Sequence, residues 1–187
     1  MASLKRSLAF GVFTAASLAW TVAAAGDPPP AEGGGPELEI KATYLYKFAP
    51  FVSWPAGVYA RRRAPLVICV QGQDPFGPVL DRAAGGRRVG THPVMVRRLE
   101  RIAPGSGCHI AYLAGGPAQS GVQALQVLEG EPVLTVTDEA RGAPAKGIVH
   151  LLRARGRVRF SIDTGQAEGH GVAISSKLLA LAVEVRR

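Results

Sequence analysis

Two cysteines, Cys69 and Cys108, are all that the 187 residues hold. Neither that number nor the spacing suits a metal site, which draws three or four Cys and His ligands from short motifs. No C-x-x-C pair occurs, and the four histidines lie scattered at positions 92, 109, 150 and 170. Acids are scarce as well, 14 against 22 Lys and Arg, and their spacing suggests no acid/base pair. The G-x-S-x-G elbow and the H-E-x-x-H helix are both absent. Ser175-Ser176-Lys177 lacks the S-x-x-K spacing of serine–lysine hydrolases, and His170, set between glycines, has no partner that the sequence can name. Gly116 and Gly121 have the spacing of a phosphate loop, but Val122 and Gln123 stand where that loop needs Lys and Ser or Thr. A helix start rich in small residues is the simpler account. No catalytic residue, no cofactor and no metal are therefore expected, and the chain is not expected to be an enzyme.

Long apolar runs are confined to the first residues. Lys5 and Arg6 precede an apolar stretch from Leu8 to Val22, and Ala23-Ala24-Ala25 supplies the small residues that signal peptidase requires. The stretch falls short of the roughly 20 residues that span a bilayer. Residues 1–25 are thus expected to be a cleaved signal peptide, and no cysteine follows to make a lipoprotein. Residues 26–37, "GDPPPAEGGGPE", are expected to form a flexible Pro/Gly-rich leader. Residues 38–187 are of a size for one domain. After cleavage the protein is expected to be periplasmic and not membrane-spanning.

Export changes the meaning of both the charge and the cysteines. Losing Lys5 and Arg6 lowers the net charge from +8 to +6, with arginines clustered at 61–63, 87–88, 97–98 and 153–159. In a secreted chain such clusters do not predict nucleic acid; solvated arginine, or attraction to an acidic partner or anionic headgroups, fits better. An even cysteine count in an oxidising compartment favours a Cys69–Cys108 disulfide. A redox-active pair would normally have closer spacing.

Hydrophobic periodicity orders the elements. "IKATYLYKFAPFV" has helical spacing, with a bend expected at Pro50. "PLVICVQG", "HPVMVRRLE", "CHIAYLAG" and "PVLTVTD" are expected as strands. Between the first two, Asp74 is expected to cap a helix with Pro75 at its first position. "GPAQSGVQALQVLEGE" is expected as an amphipathic helix, "GIVHLLRARGRVRFSID" as a hairpin, and "AISSKLLALAVEV" as a final helix. Alternating strands and helices imply an α/β fold, a mixed and mostly parallel sheet flanked by helices, with a late antiparallel hairpin.

Aromatics are few but concentrated. Of the nine beyond residue 25, six lie between positions 44 and 59. On a helical wheel Tyr44, Phe48 and Phe51 gather on the core side with Leu45 and Val52. Tyr46 and Trp54 point away, and Tyr59 follows in the loop. Either a second layer covers these three, or Tyr46, Trp54 and Tyr59 form a partner surface, where Tyr and Trp are enriched.

The segment "IKATYLYKFAPFVSWP" resembles the opening helix of the YfiR family (DUF4154), which runs approximately K-A-x-x-L-Y-N-F-A-K-F-V-x-W-P. The likeness continues in order through "LVICVQGQDPFGPVLD", "CHIAYLAG", "LEGEPVLTVTD", "KGIVHLLRARGRVRFSID" and "AISSKLLALA", from about Glu39 to Ala182. Lys47, Pro50 and Asp163 depart from the usual Asn, Lys and Asn. A second cysteine pair found in some relatives is missing, while Cys69 and Cys108 match a pair known in the family. The resemblance implies a periplasmic regulator that binds and represses the sensory domain of an inner-membrane signalling protein. The type member's target is a diguanylate cyclase, so cyclic di-GMP and biofilm would be the output. The alternative it allows is a small-ligand-binding adaptor feeding a sensor histidine kinase or an outer-membrane receptor. A homodimer is compatible with either.

Overall fold

A computed structural model describes residues 35–142 and 145–187. The expected signal peptide and most of the expected leader lie outside the described residues.

Helix α1 (Pro36–Phe48) starts on a proline and carries Glu37 and Glu39 in its first turn and Lys47 in its last. Each of these suits the end it occupies: proline needs no N–H there, and the charges oppose the helix dipole. Pro50 does bend the chain. The α-helix tightens into a 3₁₀ turn over Ala49–Phe51 and then extends into the short strand β1 (Val52–Ser53).

An eight-stranded sheet follows from β2 (Leu66–Gly72), β3 (Arg88–Val89), β4 (His92–Leu99), β5 (Ile110–Gly115), β6 (Leu134–Asp138), β7 (Val149–Ala154), β8 (Arg157–Asp163) and β10 (Glu184–Arg186). Their spatial order is β10-β8-β7-β6-β5-β2-β4-β3, parallel except for the β3–β4 and β7–β8 pairs. The remaining strand, β9 (Ala173–Ile174), pairs antiparallel with β1. The fold is the expected mixed α/β sheet with a late hairpin. Arg155 and Gly156 turn that hairpin with φ of +51° and +71°, as a two-residue type I′ turn requires.

Strand alternation divides the core. Leu66, Ile68, Val70, Ile110, Tyr112, Leu134 and Val136 pack on one face beneath Ala42, Leu45 and Phe48 of α1 and Leu80 of α2 (Pro78–Ala84). Val67, Cys69, Ala111 and Leu113 pack on the other with Ala124 of α3 (Gly121–Val127) and with Leu128. Period two along buried parallel strands puts successive side chains on opposite faces. Gly72 is essential to this geometry, since a Cβ there would lie 2.2 Å from the Gly115 carbonyl oxygen and its φ is +83°.

Three local expectations are corrected. Asp74 does not cap α2; Gly77 precedes that helix and Pro78 occupies its first turn. Asp74 instead accepts from the Phe76 amide at 2.7 Å and from Arg98 Nε at 2.6 Å. The short helix α4 (Thr164–Gly169), which periodicity did not mark, starts where Asp163 accepts from the Gln166 amide at 2.9 Å. The expected final helix breaks into β9, the single turn α5 (Ser176–Leu179) and β10. Helical propensity in "SKLLALA" yields because β8 presents an open edge whose backbone groups a parallel strand can satisfy.

Candidate functional site

Trp54 and Tyr59 meet in one corner of the domain. The Tyr59 ring is stacked between two imidazoles, 3.8 Å from His92 at 19° and 4.4 Å from His109 at 22°. Trp54 stands edge-on to both Tyr59 and His109, at 6.3 and 6.2 Å. Backbone contacts hold the stack: His92 Nδ1 lies 2.7 Å from the Ala64 carbonyl, and His109 Nδ1 accepts from the Val67 amide at 3.1 Å. The latter bond leaves the imidazole proton on Nε2. That nitrogen, and Trp54 Nε1, are buried without a hydrogen-bond partner among the described residues.

The electrostatics follow from this burial. Desolvation, with the neighbouring His92 adding to it, pulls His109 down to about 4. Burial raises the Tyr59 phenol above its ordinary value. The disulfide anchors the chain next to this corner: Cys108, immediately before His109, is bonded to Cys69 of β2 with Cα atoms 5.8 Å apart. Arg61, Arg62 and Arg63 continue the loop beyond Tyr59 and are exposed. Thr91 Oγ1 pins that loop by donating to the Arg62 carbonyl at 2.9 Å.

Tyr46 is elsewhere. Its ring faces the Arg87 guanidinium, 5.9 Å from its centroid. The structure therefore brings together two of the three expected surface aromatics and sets the third apart. All three are half-buried and packed against the core. Farther along α1, Tyr44 and Phe48, tilted 41° to each other at 5.6 Å, both meet Phe160 edge to face, at 5.9 and 5.1 Å. Phe48 is buried, as the wheel expects, while Tyr44 and Phe51 are only half-buried.

Sequence reasoning missed a buried ionic network. Lys41 and Asp138 are 3% and 2% exposed, with the ammonium 2.8 Å from Asp138 Oδ2 and 2.8 Å from Glu37 Oε1. Tyr112 donates to the same Asp138 Oδ2 at 3.0 Å. Burial by itself would lower the lysine, but its hydrogen bonds to Asp138 and Glu37 raise it overall. Burial, first, and the Asp138 carboxylate push the Tyr112 phenol up. A signal was present in the sequence: Lys41 shares the stripe of Leu45, Phe48 and Val52 at helical spacing, and a lysine in an apolar stripe demands a partner.

Other polar residues singled out by the sequence are tied into the fold. Ser120 and Gln123 form a reciprocal capping box at the start of α3, which closes the loop that has phosphate-loop spacing. Ser175 caps α5, and His170 Nδ1 lies 2.8 Å from the Glu131 carbonyl. Among the described residues no group of three His, Cys, Asp or Glu could hold a metal, and no helix is long and apolar enough to cross a membrane. Two concavities among the described residues are partly open grooves. One of about 450 Å³ runs between α1 and the β7–β8 hairpin, past Glu37, Ile40, Tyr44, Arg153, Arg157 and Arg159. Another, of about 700 Å³, lies between α4 and the Leu179–Val185 region.

A disulfide-tied α/β domain with an aromatic, arginine-flanked corner defines the class. Within it, the chain belongs to the YfiR/HmsC-like family (DUF4154), whose model matches residues 38–183. The search of curated proteins finds no match.

Proposed function

We propose that this protein is a periplasmic, non-catalytic regulator that binds the periplasmic sensory domain of an inner-membrane diguanylate cyclase and holds the enzyme inactive. Family membership is the observation that carries this reading. The Cys69–Cys108 disulfide suits an oxidising compartment. The contact surface proposed is the corner built by Trp54 and Tyr59 together with Arg61–Arg63, with Tyr46 beside Arg87 as a separate, secondary patch. Tyr, Trp and Arg are the residues that most often dominate binding energy. Three exposed arginines further favour an acidic face on the partner, which would speed encounter and fix orientation.

The test is genetic and chemical. Deleting the gene should raise cellular cyclic di-GMP, and the wild-type chain should restore the low level. A variant with Arg61, Arg62 and Arg63 all changed to Glu should be exported and folded yet fail to restore it. An unchanged cyclic di-GMP level on deletion would sink the cyclase reading.

One observation favours a second reading, as a small-ligand-binding adaptor for a sensor histidine kinase or an outer-membrane receptor. The groove of about 700 Å³ near α4 is within the size range of ligand sites. Thermal shifts against a metabolite panel, with deletion leaving cyclic di-GMP unaltered, would support that role instead.

A further inference from the structure

The segment "RARGRVR" puts arginines at alternate positions, 153, 155, 157 and 159, around the tip of the β7–β8 hairpin. Pairing of Arg153 with Val158 and of Ala154 with Arg157, closed by the Arg155-Gly156 turn, fixes where their backbones sit. Arg153, Arg155 and Arg157 are exposed, and Arg159 is half-buried. Acid to balance them is short. Glu37 Oε2 lies 3.7 Å from Arg153, a loose pair, while its other oxygen is 2.8 Å from Lys41. Glu139 accepts from the Arg153 backbone amide at 3.3 Å, not from a guanidinium. Among the described residues, Arg155, Arg157 and Arg159 make no ion pair.

The facing wall of the groove is apolar. Ile40 is 41% exposed, one of five large apolar side chains that stand out among the described residues. Tyr44, one turn later, packs its ring against Phe48 and Phe160 and lines the groove with Arg153, Arg157 and Arg159. Singly, an exposed isoleucine or a solvated arginine needs no explanation. Here a space of about 450 Å³ sets an isoleucine and a tyrosine against three guanidiniums. A bare phosphate would engage the guanidiniums, which bind it bidentately, and leave the apolar wall in water. An anionic lipid answers both walls, with phosphate on the arginines and glycerol and upper acyl carbons on Ile40 and Tyr44. Tyrosine favours that depth, and arginine reaches headgroups while its stem lies along apolar surface.

We infer that the β7–β8 hairpin and the adjoining face of α1 dock on anionic phospholipid at a membrane surface. Arg153, Arg155, Arg157 and Arg159 contact headgroup phosphates, and Ile40 enters the headgroup boundary beside them. Binding is peripheral, reversible and weakened by salt. For a repressor of an inner-membrane enzyme, such docking confines the search for its target to the membrane plane. The groove shares no residue with the Trp54–Tyr59 corner. Vesicle binding needs no cyclase, so this inference and the repressor reading can fail separately.

The mature chain should float with vesicles of equal parts phosphatidylglycerol and phosphatidylcholine at low salt, and stay behind with phosphatidylcholine alone. Each arginine lost from the hairpin should weaken partitioning roughly fivefold. Arg153→Gln, Arg157→Gln and Arg159→Gln together should therefore abolish flotation, in a chain that circular dichroism shows to be folded. The same change at Arg61, Arg62 and Arg63 removes equal charge elsewhere and should leave most of the binding. Ile40→Ser, which alters no charge, should lower partitioning severalfold. Equal flotation with neutral vesicles, equal loss in both triple variants, or an unaffected Ile40→Ser would overturn the inference. So would release of the chain by millimolar inorganic phosphate at constant ionic strength, which would make the groove a site for a free anion. A wild-type chain that never floats would overturn it too; failure of the hairpin variant to lower cyclic di-GMP would then assign these arginines to an acidic protein.

Discussion

The Lys41 ammonium lies 2.8 Å from Asp138 Oδ2, with both side chains out of solvent. The contact links the first helix to the end of the central strand β6 across 97 positions of sequence. Removing one member of a buried pair strands the other as an uncompensated charge. Lys41→Met should therefore cost about 3–5 kcal/mol in urea unfolding. Lys41→Met combined with Asp138→Asn should recover part of that loss, since no lone charge remains buried. Additive losses in the double variant would refute the pairing argument.

Stability should fall on mild acidification. His109 is depressed to about 4 from an ordinary 6.5. Above about pH 6.5 the imidazole is neutral in both folded and unfolded chains, and nothing is lost. Between 6.5 and 4 the unfolded chain binds a proton that the folded chain refuses, so stability declines, by roughly 3 kcal/mol at the bottom of the window. His150, lowered by its own burial and then by Lys146, acts in the same direction. Tyr59→Ala should admit water to the stack and move the NMR titration of His109 back toward its ordinary value.

Reduction should be costly but not fatal to the sheet. Cys69 and Cys108 close a loop of 39 positions. In the chain-entropy account that constraint is worth about 4 kcal/mol. The Cys69→Ser, Cys108→Ser double variant should show a lower urea midpoint by this order. Equal midpoints for oxidised wild type and double variant would show that the bridge adds nothing.

Gly72→Ala should be among the most damaging single-methyl additions in the protein. The added carbon meets the Gly115 carbonyl oxygen at 2.2 Å, on a backbone that L side chains rarely adopt. Gly156→Ala, also at positive φ but with nothing within 4 Å, isolates the conformational part of that cost. Melting temperatures should rank Gly72→Ala well below Gly156→Ala.

Much of the fold was legible because it rests on local patterns. "LVICV", "HIAYL" and "LTVTD" are strand-length apolar runs that must be buried on both faces, which the parallel sheet provides. "GIVHLLRARGRVRFSID" was legible as a hairpin, and β7 and β8 form it. The C-terminal segment was misjudged because its helix propensity is real, and only the vacant edge of β8, invisible in sequence, draws Glu184–Arg186 into a strand. Asp74 misled for a related reason. Its carboxylate suits a cap, but Arg98, 24 positions later, claims it.

The candidate site was only half legible. Aromatic clustering marked Trp54 and Tyr59 as unusual, yet their stacking with His92 and His109 depends on chain segments brought together by the sheet and the disulfide. Tyr46, eight positions before Trp54, went to a different surface because α1 ends in a tightened turn at Pro50.

Sequence alone determined the order of elements, the two-sided burial of the strands, the bend after α1 and the pairing of the only two cysteines, since each depends on near neighbours or on composition. Tertiary structure decided the partner of Lys41, the neutral state of His109, the separation of Tyr46 from Trp54, and the strand at the sheet's edge. Those outcomes depend on what lies across space, where distant residues set the desolvation, the charge and the open hydrogen bonds that each side chain meets.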